Sequence, residues 1–100
     1  MVRRIVWTSL ADKIFTSILE FYIIRNGSKA YSRKLNNEIH ATISLLKKSP
    51  FLGAHTGLEN IRVLIYKNYK VFYQVDTEEI IVHLVWDTRQ DPKKLEDFLP

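Results

Sequence analysis

Arg62, Lys70 and His83 stand in three consecutive strand-like segments, and Arg89 follows the last of them. Arginine and lysine can grip a phosphodiester and stabilise the charge that develops on it during cleavage. A histidine titrates near neutrality and can move the proton that such a cleavage requires. Gathered on one surface, the four make a basic cleft able to bind or cut a nucleic acid. Antiparallel sheets with one wet face carry the same residue types for solvation alone. The elements that present these side chains therefore decide between the two readings.

Other chemistry has less support. His40 falls on the polar side of a helix and His55 in a loop, and no two of the three histidines have a metal-ligand spacing. There is no cysteine, so thiolate chemistry and disulfides are excluded. No glycine-rich phosphate loop and no Gly-x-Ser-x-Gly elbow occurs. Ser9, Ser28 and Ser49 read as helix caps or loop residues, and Asp76, Glu78 and Glu79 as a turn. Neither a metal nor a small-molecule cofactor is expected.

The positioning elements follow from periodicity. Arg4 to Trp7 favours a short strand. Thr8 and Ser9 offer an N-cap, with Asp12 in the first turn. Leu10, Ile14, Ile18 and Tyr22, flanked by Phe15, Leu19 and Ile23, form a helical apolar stripe that Asn26-Gly27 ends. Ser28 caps a second helix lined by Tyr31, Leu35, Ile39, Ile43 and Leu46 and stopped at Ser49-Pro50. The short link predicts an antiparallel helical hairpin. Residues 51–60 read as a loop. The period then drops to two through Ile61 to Tyr66, Tyr69 to Val75 and Ile80 to Trp86, with short turns between, which predicts an antiparallel meander. Asp91-Pro92 can open a short helix carrying Leu95, Phe98 and Leu99. The fold class is α+β, a single domain over residues 1–100.

The hairpin must cover an apolar sheet face. Ile61, Val63, Val71, Val82 and Leu84 are the strictly apolar set, so alternation assigns that face to the helices. Arg62, Lys70, Gln74 and His83 then share the opposite, wetter face. Tyr69 and Tyr73 point to the helices, Trp7 and Trp86 pack in the core, and Tyr66 is left as a candidate base-stacking ring.

The totals agree with a globular domain: 46% of the 100 residues are hydrophobic, and the net charge is +4. Residues 1–50 hold nine Lys/Arg against three Asp/Glu, while residues 51–100 hold six against eight. The basic half suits a polyanion or an acidic protein partner. No apolar run reaches the ~20 residues needed to span a bilayer, and the N-terminus does not read as a signal peptide. A cytoplasmic protein without membrane contact is expected.

The strands carry a resemblance. Ile61-Arg62-Val63-Leu64-Ile65 followed by Asn68-Tyr69-Lys70-Val71-Phe72-Tyr73 resembles the central hairpin of the RelE/ParE superfamily. Ile81 to Pro92 (IVHLVWDTRQDP) is similar to that superfamily's last strand and tail, and the order of elements fits. The resemblance implies the toxin of a type II toxin–antitoxin pair, which inhibits growth, stabilises plasmids and is neutralised by a small acidic antitoxin that folds around it. Two activities are implied as alternatives. RelE-like members are metal-independent, ribosome-dependent endoribonucleases (mRNA interferases). ParE-like members poison DNA gyrase. By resemblance, Arg62, Lys70 and Arg89 fall at or beside basic positions of the ribonuclease cluster, with His83 as a possible acid or base. Leu64 stands where ribonuclease members often have a lysine, no tyrosine follows Arg89, and Lys70 replaces the more usual arginine. A third alternative is a degenerate, non-toxic member that persists as a basic protein- or RNA-binding module.

Overall fold

A computed structural model describes residues 2–90 and 92–99. The elements in chain order are β1 (Arg4–Trp7), α1 (Ser9–Asn26), α2 (Ala30–Ser44), a 3-10 turn (Leu45–Lys47), β2 (Ala54–His55), β3 (Arg62–Tyr66), β4 (Tyr69–Val75), β5 (Glu79–Asp87) and α3 (Pro92–Phe98). The expected α+β class, the helical hairpin and the meander are all present. The sheet is larger than the meander. Its order is β1-β5-β4-β3-β2, with β1 parallel to β5 and every other pair antiparallel. The loop expected at 51–60 thus contributes a two-residue edge strand.

Local chemistry sets the helix ends. Thr8 is the N-cap of α1, its hydroxyl accepting the Ala11 N–H at 3.0 Å. Gly27 ends α1 in the left-handed region at φ 65°, where a residue without Cβ is unstrained. Ser28 does not occupy the N-cap of α2, which falls on Lys29. Its hydroxyl instead accepts the Ala30 N–H at 3.1 Å. α2 stops at Ser44, and the 3-10 turn carries the chain onward. The two helices lie close, because the Ser32 hydroxyl donates to the Leu19 carbonyl at 2.6 Å. The Asp91 cap falls outside the described residues.

The main core lies between the hairpin and one sheet face. Ala11 and Phe15 of α1 and Leu35, Ile39 and Ile43 of α2 pack with Tyr69, Val71, Tyr73, Ile80, Val82 and Val85. Burying an aliphatic or aromatic side chain of this size stabilises by about 1.5–3 kcal/mol. A second, smaller core lies on the other face, where Ile61, Phe72, Leu84 and Trp86 meet Leu95, Phe98 and Leu99 of the α3 segment.

This second core overturns part of the alternation argument. Ile61, Val63 and Leu84 do not face the helical hairpin; they belong to the α3 side. The pairings Arg62↔Tyr73, Val63↔Phe72 and Leu64↔Val71 put Leu64 in the main core and Val63 behind it. The pairing of β4 with β5 slips between Phe72 and Tyr73, so that Phe72 pairs with Leu84 but Tyr73 with Val82. His83 is the extra residue of this bulge. The bulge reverses the parity of everything after it, which turns Val85 to the hairpin and Leu84 and Trp86 to α3. Alternation identifies an inside only when one face is wet, and here both faces are partly apolar.

Tyr73 ties the loop at 50–53 to this core. Its phenol donates to the Pro50 carbonyl and accepts the Gly53 N–H, both at 2.8 Å. A Cβ on Gly53 would meet that phenol oxygen and the Val63 carbonyl at 2.7 Å, so glycine is required by close approach. Tyr73→Phe leaves the buried Gly53 N–H without its partner. It should lower unfolding stability by about 1–3 kcal/mol in urea titrations. An unchanged midpoint would mean the loop is not held through this phenol.

Candidate functional site: dispersed basic residues and a buried aspartate

Arg62 opens β3 on the face of Tyr73, its register partner. Its guanidinium is spent locally. Nη1 donates to the carbonyls of Gly53 at 2.8 Å and Phe51 at 3.4 Å, and Nη2 meets His55 Nε2 at 3.2 Å. The guanidinium carbon sits 4.9 Å from the centre of the Phe51 ring. Arg62 therefore pins the loop that leads into β2.

Lys70 and His83 lie on the opposite face, with Gln74. Lys70 pairs with Ile65 on β3 and Trp86 on β5, and its side chain makes no hydrogen bond or ion pair with another described residue. His83 is half-buried, with Nε2 3.0 Å from Gln74 Oε1. Burial pushes its pKa below the ordinary histidine value, favouring the neutral ring. The expected grouping of Arg62 with Lys70, Gln74 and His83 is therefore not formed. Arg62 points through the other side of the sheet, because the apolar face that α3 covers takes Val63.

Arg89 lies at a third place, beyond the end of β5. The register sets Tyr69 opposite Asp87 and Tyr73 opposite Arg62. The two arginines are thus four residues apart along β4, roughly 13 Å of strand. Arg89 belongs to a closed network. Its Nε and Nη2 donate to the two carboxylate oxygens of Asp87, both at 2.9 Å, and its backbone N–H donates to Oδ1 at 2.9 Å. Nη2 also donates to the Tyr69 hydroxyl at 2.9 Å. Tyr22 donates to Asp87 Oδ2 at 3.0 Å, and the Tyr31 and Tyr69 hydroxyls are 2.9 Å apart. The guanidinium also lies 5.1 Å from the Tyr22 ring centre and 5.7 Å from that of Tyr69.

This network was not legible as a site. Asp87 carries no motif, and the members of its network come from α1, α2, β4, β5 and the tail. Its side chain is 2% exposed while that of Arg89 is 45% exposed. Burial raises the Asp87 pKa, but the hydrogen bonds from Arg89 and Tyr22 outweigh burial and hold it below the usual aspartate value. Burial and the hydrogen bond to Asp87 raise the Tyr22 pKa, and burial with the Tyr31 contact raises that of Tyr69. Both phenols therefore stay protonated at neutral pH, and neither is poised as a base.

The remaining sequence candidates are structural. Tyr66 does not face solvent as a stacking ring; its hydroxyl donates to Glu38 on α2, which Lys67 also approaches at 3.5 Å. His40 is exposed, as expected, and its ring lies 5.1 Å from that of Trp7. Trp86 is buried and meets Phe98 at 5.9 Å. Among the described residues, no group of three His, Asp or Glu could hold a metal, and no helix is long and apolar enough to cross a membrane.

A carboxylate held below its unfolded pKa contributes stability above that value, and the contribution is lost as pH falls through the folded pKa. Stability should therefore drop as pH is lowered from about 4, the ordinary aspartate value. Asp87→Asn should remove that share of the acid sensitivity and cost about 2–4 kcal/mol at pH 7, because Arg89 loses its charge partner. Urea titrations from pH 2.5 to 7 measure both. Parallel pH profiles in the two proteins would show that Asp87 is not the linked group.

The family profile described as the ParE toxin of type II toxin–antitoxin system, parDE, matches residues 5–92. Among solved structures, the fold is similar to a chain of the chromosomal ParDE TA system from P. aeruginosa. The TM-score is 0.74 at 17% identity, over 84% of this chain and 94% of that one. No curated protein matches significantly. A family match across nearly the whole sequence assigns this chain to the ParE toxin family of type II toxin–antitoxin systems.

Proposed function

We propose that this toxin arrests growth by binding and inhibiting DNA gyrase in the cytoplasm, without chemistry of its own. The observation that carries this reading is the dispersal of the basic residues. Cleaving a phosphodiester needs a cation at the phosphate and a proton acceptor within hydrogen-bond reach of the nucleophile, about 2.6–3.2 Å. Here Arg62 binds loop carbonyls on one sheet face and Lys70 and His83 lie on the other. Arg89 is locked to a buried carboxylate at the far end of β4. Membership of the ParE family supports the gyrase target over mRNA on the ribosome. On this reading Arg62 and Arg89 hold the fold, and Lys70 and His83 are surface features.

The test is expression without the antitoxin, with transcript 5′ ends mapped beside a supercoiling assay on the purified chain. Growth arrest, DNA breaks, inhibited supercoiling and intact transcripts are expected. The Lys70→Ala/His83→Ala double variant should arrest growth as strongly as the unaltered chain. New cuts inside translated messages that vanish in the double variant would replace this reading with ribosome-dependent mRNA cleavage. Absence of arrest at good expression would leave a non-toxic binding module.

A further inference from the structure

Four of the nine basic residues of the N-terminal half, Arg3, Arg4, Lys47 and Lys48, gather where the start of β1 meets the end of the helical hairpin. A slot of about 730 Å³ opens there, between the outer edge of β1 and the last turns of α2. Arg3 and Arg4 stand on its strand side, and His40, Ser44 and Lys47 on its helix side. These last three recur at spacings of four and three, so they form one row about 10 Å long. No acidic side chain lines the slot. The side chains of His40, Ser44 and Lys47 make no hydrogen bond or ion pair with another described residue.

The arginines keep donors to spare. Arg3 donates through Nε to the Asp76 carbonyl at 2.8 Å, and neither of its Nη atoms has a partner among the described residues. Arg4 lies 3.5 Å from Glu79, but its side chain is 72% exposed, and an exposed pair of this length is weak. The main chain adds to the set. The N–H groups of Arg4 and Thr8 donate to the Glu78 and Val82 carbonyls at 3.0 and 3.1 Å. Alternation therefore turns the N–H groups of Ile5 and Trp7 to the outer edge, where neither has a partner among the described residues. A further strand does not fit along this edge. The Arg3 N–H donates to the Lys47 carbonyl at 3.3 Å, which closes one end, and the His40 ring lies 5.1 Å from that of Trp7, which narrows the other. What remains is a group of separate cations and donors without a carboxylate, a pattern that suits phosphate oxygens.

We propose that this slot grips the phosphodiester backbone of duplex DNA, the segment that gyrase holds when the toxin is bound to it. Arg4, Lys47 and Lys48 neutralise phosphates at the rim, and Arg3 with the free edge N–H groups donates to phosphate oxygens inside. Charge complementarity favours this occupant: residues 1–50 have six more basic than acidic residues, and none of the three acidic ones lines the slot. Such contacts position the duplex without reading its sequence. The inference rests on the gyrase reading for the source of the DNA. A toxin fixed to both the enzyme and its DNA holds the cleaved complex together more firmly than one fixed to the enzyme alone.

The experiment is fluorescence anisotropy of a dye-labelled duplex titrated with the purified toxin, without gyrase, over a range of salt. For three phosphate contacts the logarithm of the affinity should fall with the logarithm of salt at a slope of about −2.7. The Arg4→Ala/Lys47→Ala double variant should bind at least tenfold more weakly at low salt, with a slope shallower by about 2. Lys29→Ala/Arg33→Ala, which removes equal charge at the other end of α2, should stay within twofold of the unaltered chain. Matching thermal melts establish that these exposed substitutions leave the fold intact. With gyrase present, Arg4→Ala/Lys47→Ala should need at least fivefold more toxin for half-maximal DNA breaks. Equal loss in the two double variants overturns the proposal, because only overall charge would then matter. Tighter binding of a single-stranded RNA of the same length overturns it, as does displacement of the duplex by sub-millimolar ATP, which would make the slot a mononucleotide site. Full inhibition of gyrase by a variant that has lost DNA binding also overturns it and leaves the gyrase reading standing. Intact DNA binding by a chain that does not inhibit supercoiling overturns the gyrase reading instead and supports the slot.

Discussion

The rest of the structure depends on the burial of strand β5 on all sides. It pairs with β1 on one edge and β4 on the other, and its faces press on the helical hairpin and on the α3 segment. A strand so enclosed must put an apolar residue almost everywhere, and Ile80 to Trp86 nearly does. His83 is the exception, and the bulge there lets both faces close. Without the shift, Leu84 and Trp86 would join the hairpin side, and the surface under α3 would lose two of its four buried residues.

The same enclosure explains why the basic residues stay apart. Once Val63, Phe72 and Leu84 form one layer, Arg62 and Tyr73 must point through the other side. Arg62 then meets the carbonyls of a loop that has just left α2 and needs donors. Arg89 is drawn to Asp87 for a related reason. A carboxylate at the buried end of β5 is costly unless nearby donors match it, and Arg89 with Tyr22 supplies them. Two of the groups that read in sequence as a reactive cluster, Arg62 and Arg89, are each satisfying polar atoms made necessary by the packing.

This also sets what could be read in advance. Element types and order were legible, because the hairpin helices have strong 3.6-residue patterns and the strands strong two-residue patterns. The Thr8 cap and the Gly27 stop follow from residue chemistry. The facing of β3 was not legible, because Arg62-Val63-Leu64-Ile65 contains an apolar residue for either face. Leu95, Phe98 and Leu99 were recognised as a helix, but their docking site on the sheet depends on long-range packing. The bulge has no signature in Ile81-Val82-His83-Leu84. The candidate cluster failed to assemble through those two gaps: a one-residue change of parity moves a side chain through the sheet. The Asp87 network needed the tertiary structure throughout, since its five side chains span residues 22–89.

A chain of this size retains a thin stability margin, yet it leaves Phe21, Ile24, Phe51, Leu52 and Ile65 more than half exposed. Some exposed apolar surface is normal for any protein. Here, however, Phe21 and Ile24 align on one helix beside an apolar groove, and Phe51 and Leu52 are adjacent on a loop pinned by Arg62 and Tyr73. Ordering that loop costs backbone entropy, and the core gains little from it, because the two large side chains it carries point outward. A loop held rigid while presenting apolar groups is arranged for recognition. In this fold the polar interactions stiffen the frame and the apolar exposure supplies the contact surface.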